Sequence, residues 1–123
     1  MKKLLLLLIF IPFIFTVSCA SQGVIKITAQ EAKTMLDSDS SIILVDVRTQ
    51  EEYDQIHIPG AIVLPVDDIT FRADNILPDK NATYIIYCNS GNRSATASQA
   101  LVDLGYKNVY DMGGIIYWPY ETE

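Results

Sequence analysis

The chain has 123 residues, half of them hydrophobic, with 9 Lys and Arg against 15 Asp and Glu, one His and two Cys. A formal net charge of −6 argues against a nucleic-acid partner and against unaided binding to an anionic lipid surface. One histidine and so few cysteines do not make a metal ligand set, and no metal or organic cofactor is implied.

The N-terminus reads as a leader. Met1-Lys2-Lys3 is followed by an apolar stretch over residues 4–17, then Ser18 and Cys19. That stretch is shorter than the ~20 residues a membrane span needs and has the charged start and small final residue of a secretory signal. Residues 1–18 are therefore expected to be removed. Phe15-Thr16-Val17-Ser18-Cys19 resembles a bacterial lipobox, in which the cysteine is lipidated and becomes the new N-terminus, although Thr16 stands where Leu or Val is usual. On this reading Cys19 carries a lipid, and acyl chains hold an exported protein on a membrane of the bacterial cell envelope without a spanning helix. Ordinary secretion with a free Cys19, or an uncleaved anchor, are the alternatives.

Residues 19–24 read as a short linker and residues 25–120 as one domain. The leader holds two of the lysines, so the mature part keeps 7 Lys and Arg against 15 Asp and Glu, a net charge near −8. Short β-branched runs at residues 24–27, 42–47, 61–64, 83–87 and 109–110 predict strands, and residues 29–37, 50–55, 67–73 and 93–104 predict helices. Nearly continuous apolar strands alternating with amphipathic helices predict an α/β fold, a central parallel sheet of about five strands with helices on both faces. Thr28 with Glu31, and Thr49 with Glu52, have the spacing of capping boxes and fix two helix starts. Gly105 after Leu104 stops the last helix. In such sheets ligands bind beyond the carboxyl ends of the strands, where Asp46-Val47-Arg48 and Cys88 both fall.

Cys88-Asn89-Ser90-Gly91-Asn92-Arg93-Ser94 joins the apolar run Tyr84-Ile85-Ile86-Tyr87 to a helix. A thiol between a loop of backbone N–H groups and the positive end of a helix is favoured as thiolate, and the same loop can cradle an oxyanion. Cys88 is the candidate nucleophile. The backbone of Asn89, Ser90, Gly91, Asn92, Arg93 and Ser94 is the candidate anion site, and Arg93 offers a positive fork to an anionic donor. Asp46, Arg48 and Glu52 read as a structural set, with Arg48 tying a strand end to the helix capped by Thr49. His57, in His-Ile-Pro-Gly-Ala, reads as a turn residue whose ring packs locally.

Leu44-Val45-Asp46-Val47-Arg48-Thr49-Gln50-Glu51-Glu52-Tyr53, His57-Ile58-Pro59-Gly60-Ala61, the Cys88 loop, and Gly113-Gly114 with Trp118 together resemble a single-domain rhodanese, in order and spacing, from about residue 25 to 118. The resemblance implies a rhodanese-like fold and transfer of sulfane sulfur through a persulfide on Cys88. It implies a small anionic sulfur donor such as thiosulfate and an acceptor that is cyanide, a thiol or a protein. Protein tyrosine phosphatases also place a Cys and an Arg around an oxyanion loop. Their signature has five residues between the two, and here there are four, a smaller cradle better matched to sulfur than to phosphate or arsenate. A sulfur carrier that takes persulfide from a partner and hands it on needs the same thiolate and the same loop; a degenerate domain used only for docking needs neither, and Cys88 with a complete loop argues against it. Turnover with small donors and acceptors separates these.

Overall fold

The computed structural model describes residues 22–123, together with Pro12 and Ile14. Those two residues are exposed; the rest of the expected leader, and Cys19 with its expected lipid, lie outside the described residues. Among the described residues no helix is long and apolar enough to cross a membrane.

Among the described residues, five strands and four α-helices follow in the order β1 (Val24–Lys26), α1 (Ala29–Ser38), β2 (Ile43–Asp46), α2 (Gln50–Gln55), β3 (Ile62–Val63), α3 (Ile69–Ile76), β4 (Thr83–Cys88), α4 (Asn92–Asp103) and β5 (Asn108–Gly114). The strands form one sheet in the order β1-β5-β4-β2-β3, and every pair is parallel. β1 begins at Val24, and Glu123 exchanges both backbone hydrogen bonds with His57.

Period-two alternation gives the middle strand β4 two buried faces. Tyr84, Ile86 and Cys88 of β4 pack with Val45, Ala97, Leu101 and Tyr106 on the α3–α4 side. Ile85 and Tyr87 pack with Ala32, Leu44, Ile58 and Met112 on the other. Leu44, Val45, Ile85 and Ile86 are at most 3% exposed, which explains why these runs read as continuously apolar rather than alternating.

Local chemistry sets the helix ends. At Thr28 and Thr49 the hydroxyl accepts from the N–H of Glu31 or Glu52, whose carboxylate accepts the threonine N–H in return, so both capping boxes form. The N–H groups of Gly105 and Tyr106 close onto the carbonyls of Val102 and Leu101 at the end of α4, at 3.0 and 3.1 Å.

Two elements depart from expectation by more than a residue at an end. The helix expected at 67–73 is a short 3-10 turn, Val66–Asp68, leading into α3, which runs on to Ile76. Pro78 is the effective stop, because it disfavours helical backbone at Leu77. β5 is longer than residues 109–110, since it pairs with β1 and β4 at once. A bulge opposite Ile86 and Tyr87 absorbs Met112 and carries the pairing on through Gly113 and Gly114.

Candidate active site

The carboxyl ends of β2 and β4 lie side by side, with Asp46 in register with Tyr87. Tyr87 is buried and its hydroxyl accepts the N–H of Ile58 at 3.2 Å; burial above all raises its pKa, so the phenol stays protonated. The next residue, Cys88, turns to the opposite face and is 1% exposed. It is the free cysteine among the described residues.

The chain leaves β4 at Cys88 and enters α4 at Asn92 through a loop closed on the sulfur itself: the Gly91 N–H donates to Sγ at 3.0 Å. That closure needs Gly91 at φ +119, a backbone region that side chains rarely tolerate. The first helical bond of α4 runs from the Ala95 N–H to the Gly91 carbonyl, which also accepts the Ser94 hydroxyl at 3.0 Å. The N–H groups of Asn92, Arg93 and Ser94 therefore have no intrahelical acceptor and open onto the helix mouth. Asn89 and Ser90 expose their side chains, and Ser94 is buried beneath the loop. The residues from Cys88 to Ser94 thus form one strand end, loop and helix start, closed on the sulfur by the Gly91 N–H.

A neighbouring strand braces this turn. Gly114 is in register with Cys88, and a Cβ built on it would lie 2.1 Å from the Asn89 carbonyl oxygen and 2.7 Å from the Ser90 Cα. The Asn89 carbonyl also accepts the Ile116 N–H at 3.3 Å. The Gly113-Gly114 pair reads from sequence as a packing and turn element at the border of the site; that Gly114 forms the floor of the loop depends on strand register, which short-range pattern does not reveal.

Beside the loop, Arg48 and Asp46 form a buried ion pair, 3% and 0% exposed, with Nη2 to Oδ2 at 2.7 Å and Nε within 3.1 Å of both carboxylate oxygens. The same Nη2 donates to the Ile56 carbonyl at 2.6 Å, tying the end of β2 to the end of α2. Removing one partner of a buried pair typically costs ~3–5 kcal/mol, because the other charge is left without compensation. Asp46→Ala is expected to destabilise the domain by about that amount, read as a lowered urea midpoint with an unchanged slope.

Glu52 does not join this pair. Its carboxylate takes the Arg93 guanidinium in a two-bond fork, Nη1 to Oε2 at 2.7 Å and Nη2 to Oε1 at 2.9 Å, across the mouth from α4 to α2. The fork that the sequence reading offers to an anionic donor is thus occupied by a carboxylate. Hydrogen bonds from Arg93, helped by the Thr49 N–H and opposed by burial, bring the Glu52 pKa down to about 2. The Arg93 pKa is raised, by Glu52 first of all. Because the folded-state value lies below the ordinary one, the stability this pair adds is complete above about pH 4.5 and is lost as the pH falls toward 2. The stability gap between the unaltered protein and Glu52→Gln should therefore close over that window in thermal melts.

His57 stacks on Tyr53 with ring centroids 3.8 Å apart. Its Nδ1 lies 2.8 Å from the Tyr53 carbonyl oxygen and its Nε2 3.2 Å from Glu123, so both ring nitrogens are engaged away from the loop. Trp118 likewise stands apart from the sulfur. With Lys33, Leu36, Ile42, Ile58 and Tyr120 it lines a groove of about 840 Å³ to which no residue of the Cys88 loop contributes.

The chain is similar to known proteins. The chain is 41% identical over 71 residues to the thiosulfate sulfurtransferase PspE of Escherichia coli K12, covering 58% of this chain and 68% of that protein. It is 37% identical over 99 residues to YrkF of Bacillus subtilis 168, named as a candidate sulfur carrier protein, covering 80% of this chain and 52% of that one. It therefore spans about half the length of YrkF. A solved structure described as a rhodanese with anions from E. coli matches with a TM-score of 0.62 at 35% identity, over 67% of this chain and 96% of that chain. The rhodanese-like domain family itself matches residues 28–118, from the cap of α1 to Trp118. With its parallel sheet and its cysteine at the mouth of α4, this chain belongs to the rhodanese-like domain family.

Proposed function

We propose that the protein is a sulfurtransferase that moves sulfane sulfur from a donor such as thiosulfate to cyanide, a thiol or a protein acceptor, through a persulfide on Cys88. The observation that carries this reading is the sulfur itself, set at a strand end and receiving the Gly91 N–H at 3.0 Å beside the open N–H groups of a helix mouth.

The Cys88 thiolate attacks the outer sulfur of thiosulfate, a new S–S bond forms, and the old one breaks with its electron pair leaving on sulfite. The cysteine retains a persulfide anion, whose charge the N–H groups of the loop and helix mouth can stabilise. An acceptor nucleophile then attacks the outer sulfur and restores the thiolate; with cyanide the product is thiocyanate. No proton moves in either step, so no general base is required.

The leader-like residues 1–18 and the lipobox-like Phe15-Thr16-Val17-Ser18-Cys19 support an exported form held on a membrane by a lipid at Cys19. The likeness to YrkF supports a second reading, a sulfur carrier with little turnover on free donors. Intact-mass measurement before and after thiosulfate, followed by repeated cyanide additions, decides between them. Gain of one sulfur and steady thiocyanate production support the sulfurtransferase, and gain without turnover supports the carrier. No adduct from thiosulfate, polysulfide or an organic persulfide would overturn both.

A further inference from the structure

We propose that Glu52 sets the donor charge this site accepts: by holding both terminal nitrogens of Arg93 it withholds a full positive charge from the cradle, which then takes monoanionic sulfane donors more readily than the thiosulfate dianion. The inference rests on the sulfur-transfer reading above and goes beyond it to substrate class.

Three observations carry it. The Arg93 fork is filled, at 2.7 and 2.9 Å, so an anionic donor must displace a carboxylate to use it. That carboxylate is anchored, since Oε2 also accepts the Thr49 N–H at 3.0 Å and the Thr49 hydroxyl at 3.2 Å. The other guanidinium at this rim, Arg48, is buried and committed to Asp46 and the Ile56 carbonyl. The cradle is left with backbone dipoles, which suit one negative charge, on a domain whose acidic residues outnumber its basic ones and repel a second. Glu52 acts through Arg93 and is a positioning residue.

Thiosulfate and methanethiosulfonate test this directly, because each presents a sulfane sulfur and they differ by one unit of charge. Glu52→Gln keeps the capping partner, as glutamine serves at that position too, while removing the charge that neutralises Arg93. A hydrogen bond to a charged group contributes enough for the thiosulfate to methanethiosulfonate ratio of kcat/KM to rise roughly tenfold, through a lower KM for thiosulfate at nearly constant kcat. In Glu52→Gln/Arg93→Gln the ratio should return to within about twofold of the unaltered value. An unchanged ratio in Glu52→Gln, or a raised ratio that persists in the double variant, overturns the proposal.

The unaltered protein supplies a second measurement that does not depend on either variant folding. With both Arg48 and Arg93 held by carboxylates, added salt should raise kcat/KM for the dianion more than for the monoanion, by screening repulsion. A fall for thiosulfate would mean that a cation is available and would also overturn the proposal. Failure of both donors to load Cys88 in the unaltered protein sinks the sulfur-transfer reading instead, so the two failures are distinguishable.

Discussion

Cys88→Ser is expected to take up no sulfur from thiosulfate by intact mass and to lose turnover to cyanide by roughly a thousandfold or more. Serine places an oxygen where Sγ now accepts the Gly91 N–H, so the loop closure has a substitute acceptor. What it cannot replace is the nucleophile. A serine hydroxyl needs an adjacent base to act, and the lone histidine has both ring nitrogens engaged with Tyr53 and Glu123. The cost in stability should stay below about 2 kcal/mol, that of a hydroxyl in an apolar cluster with one good partner. An inactive variant with a nearly unchanged melt therefore identifies the reacting atom. Sulfur uptake that survived the substitution would locate the chemistry at another group.

The second large effect is expected at a residue with no side chain. Gly114→Ala introduces a methyl group 2.1 Å from the Asn89 carbonyl oxygen and 2.7 Å from the Ser90 Cα. Both are backbone atoms, and no flexible side chain can swing away. Gly114 is held in the ladder opposite Cys88, so the strain is relieved by lifting the turn at Asn89 and Ser90. Overpacking of this kind costs about 1–3 kcal/mol, and a displacement near 1 Å at a reacting centre costs on the order of a hundredfold in rate. Slow persulfide formation in a folded protein is the expected signature. Wild-type rates would show that the loop is not held by this contact.

Parts of this architecture are legible from short-range pattern because their causes are short-range. Thr28 with Glu31 and Thr49 with Glu52 close within three residues, and both boxes form. The apolar runs of β2 and β4 name the central strands because burial on both faces leaves them no polar alternation. Asp46 and Arg48 are two residues apart, and the tie from Arg48 to the end of α2 follows the sequence reading. The pairing of Glu52 with Arg93 spans 41 residues and depends on β2 and β4 being neighbours, so no local signal carries it. The end of β5 was hidden for another reason: Gly113 and Gly114 look like a turn, and only the close approach of the Asn89 backbone explains a glycine in the ladder.

The sulfur is mounted on β4, the middle strand of the sheet, hydrogen-bonded to β5 on one side and β2 on the other. Interior strands of this kind open least, often only when the whole domain unfolds. On the sulfur-transfer reading, a sulfur carried on this strand stays at a fixed berth, and the recipient has to bring its own nucleophile to within bonding distance. Traffic through the site is then governed by how well a visitor fits the rim, and a slow acceptor is made faster by reshaping the visitor rather than by loosening the host.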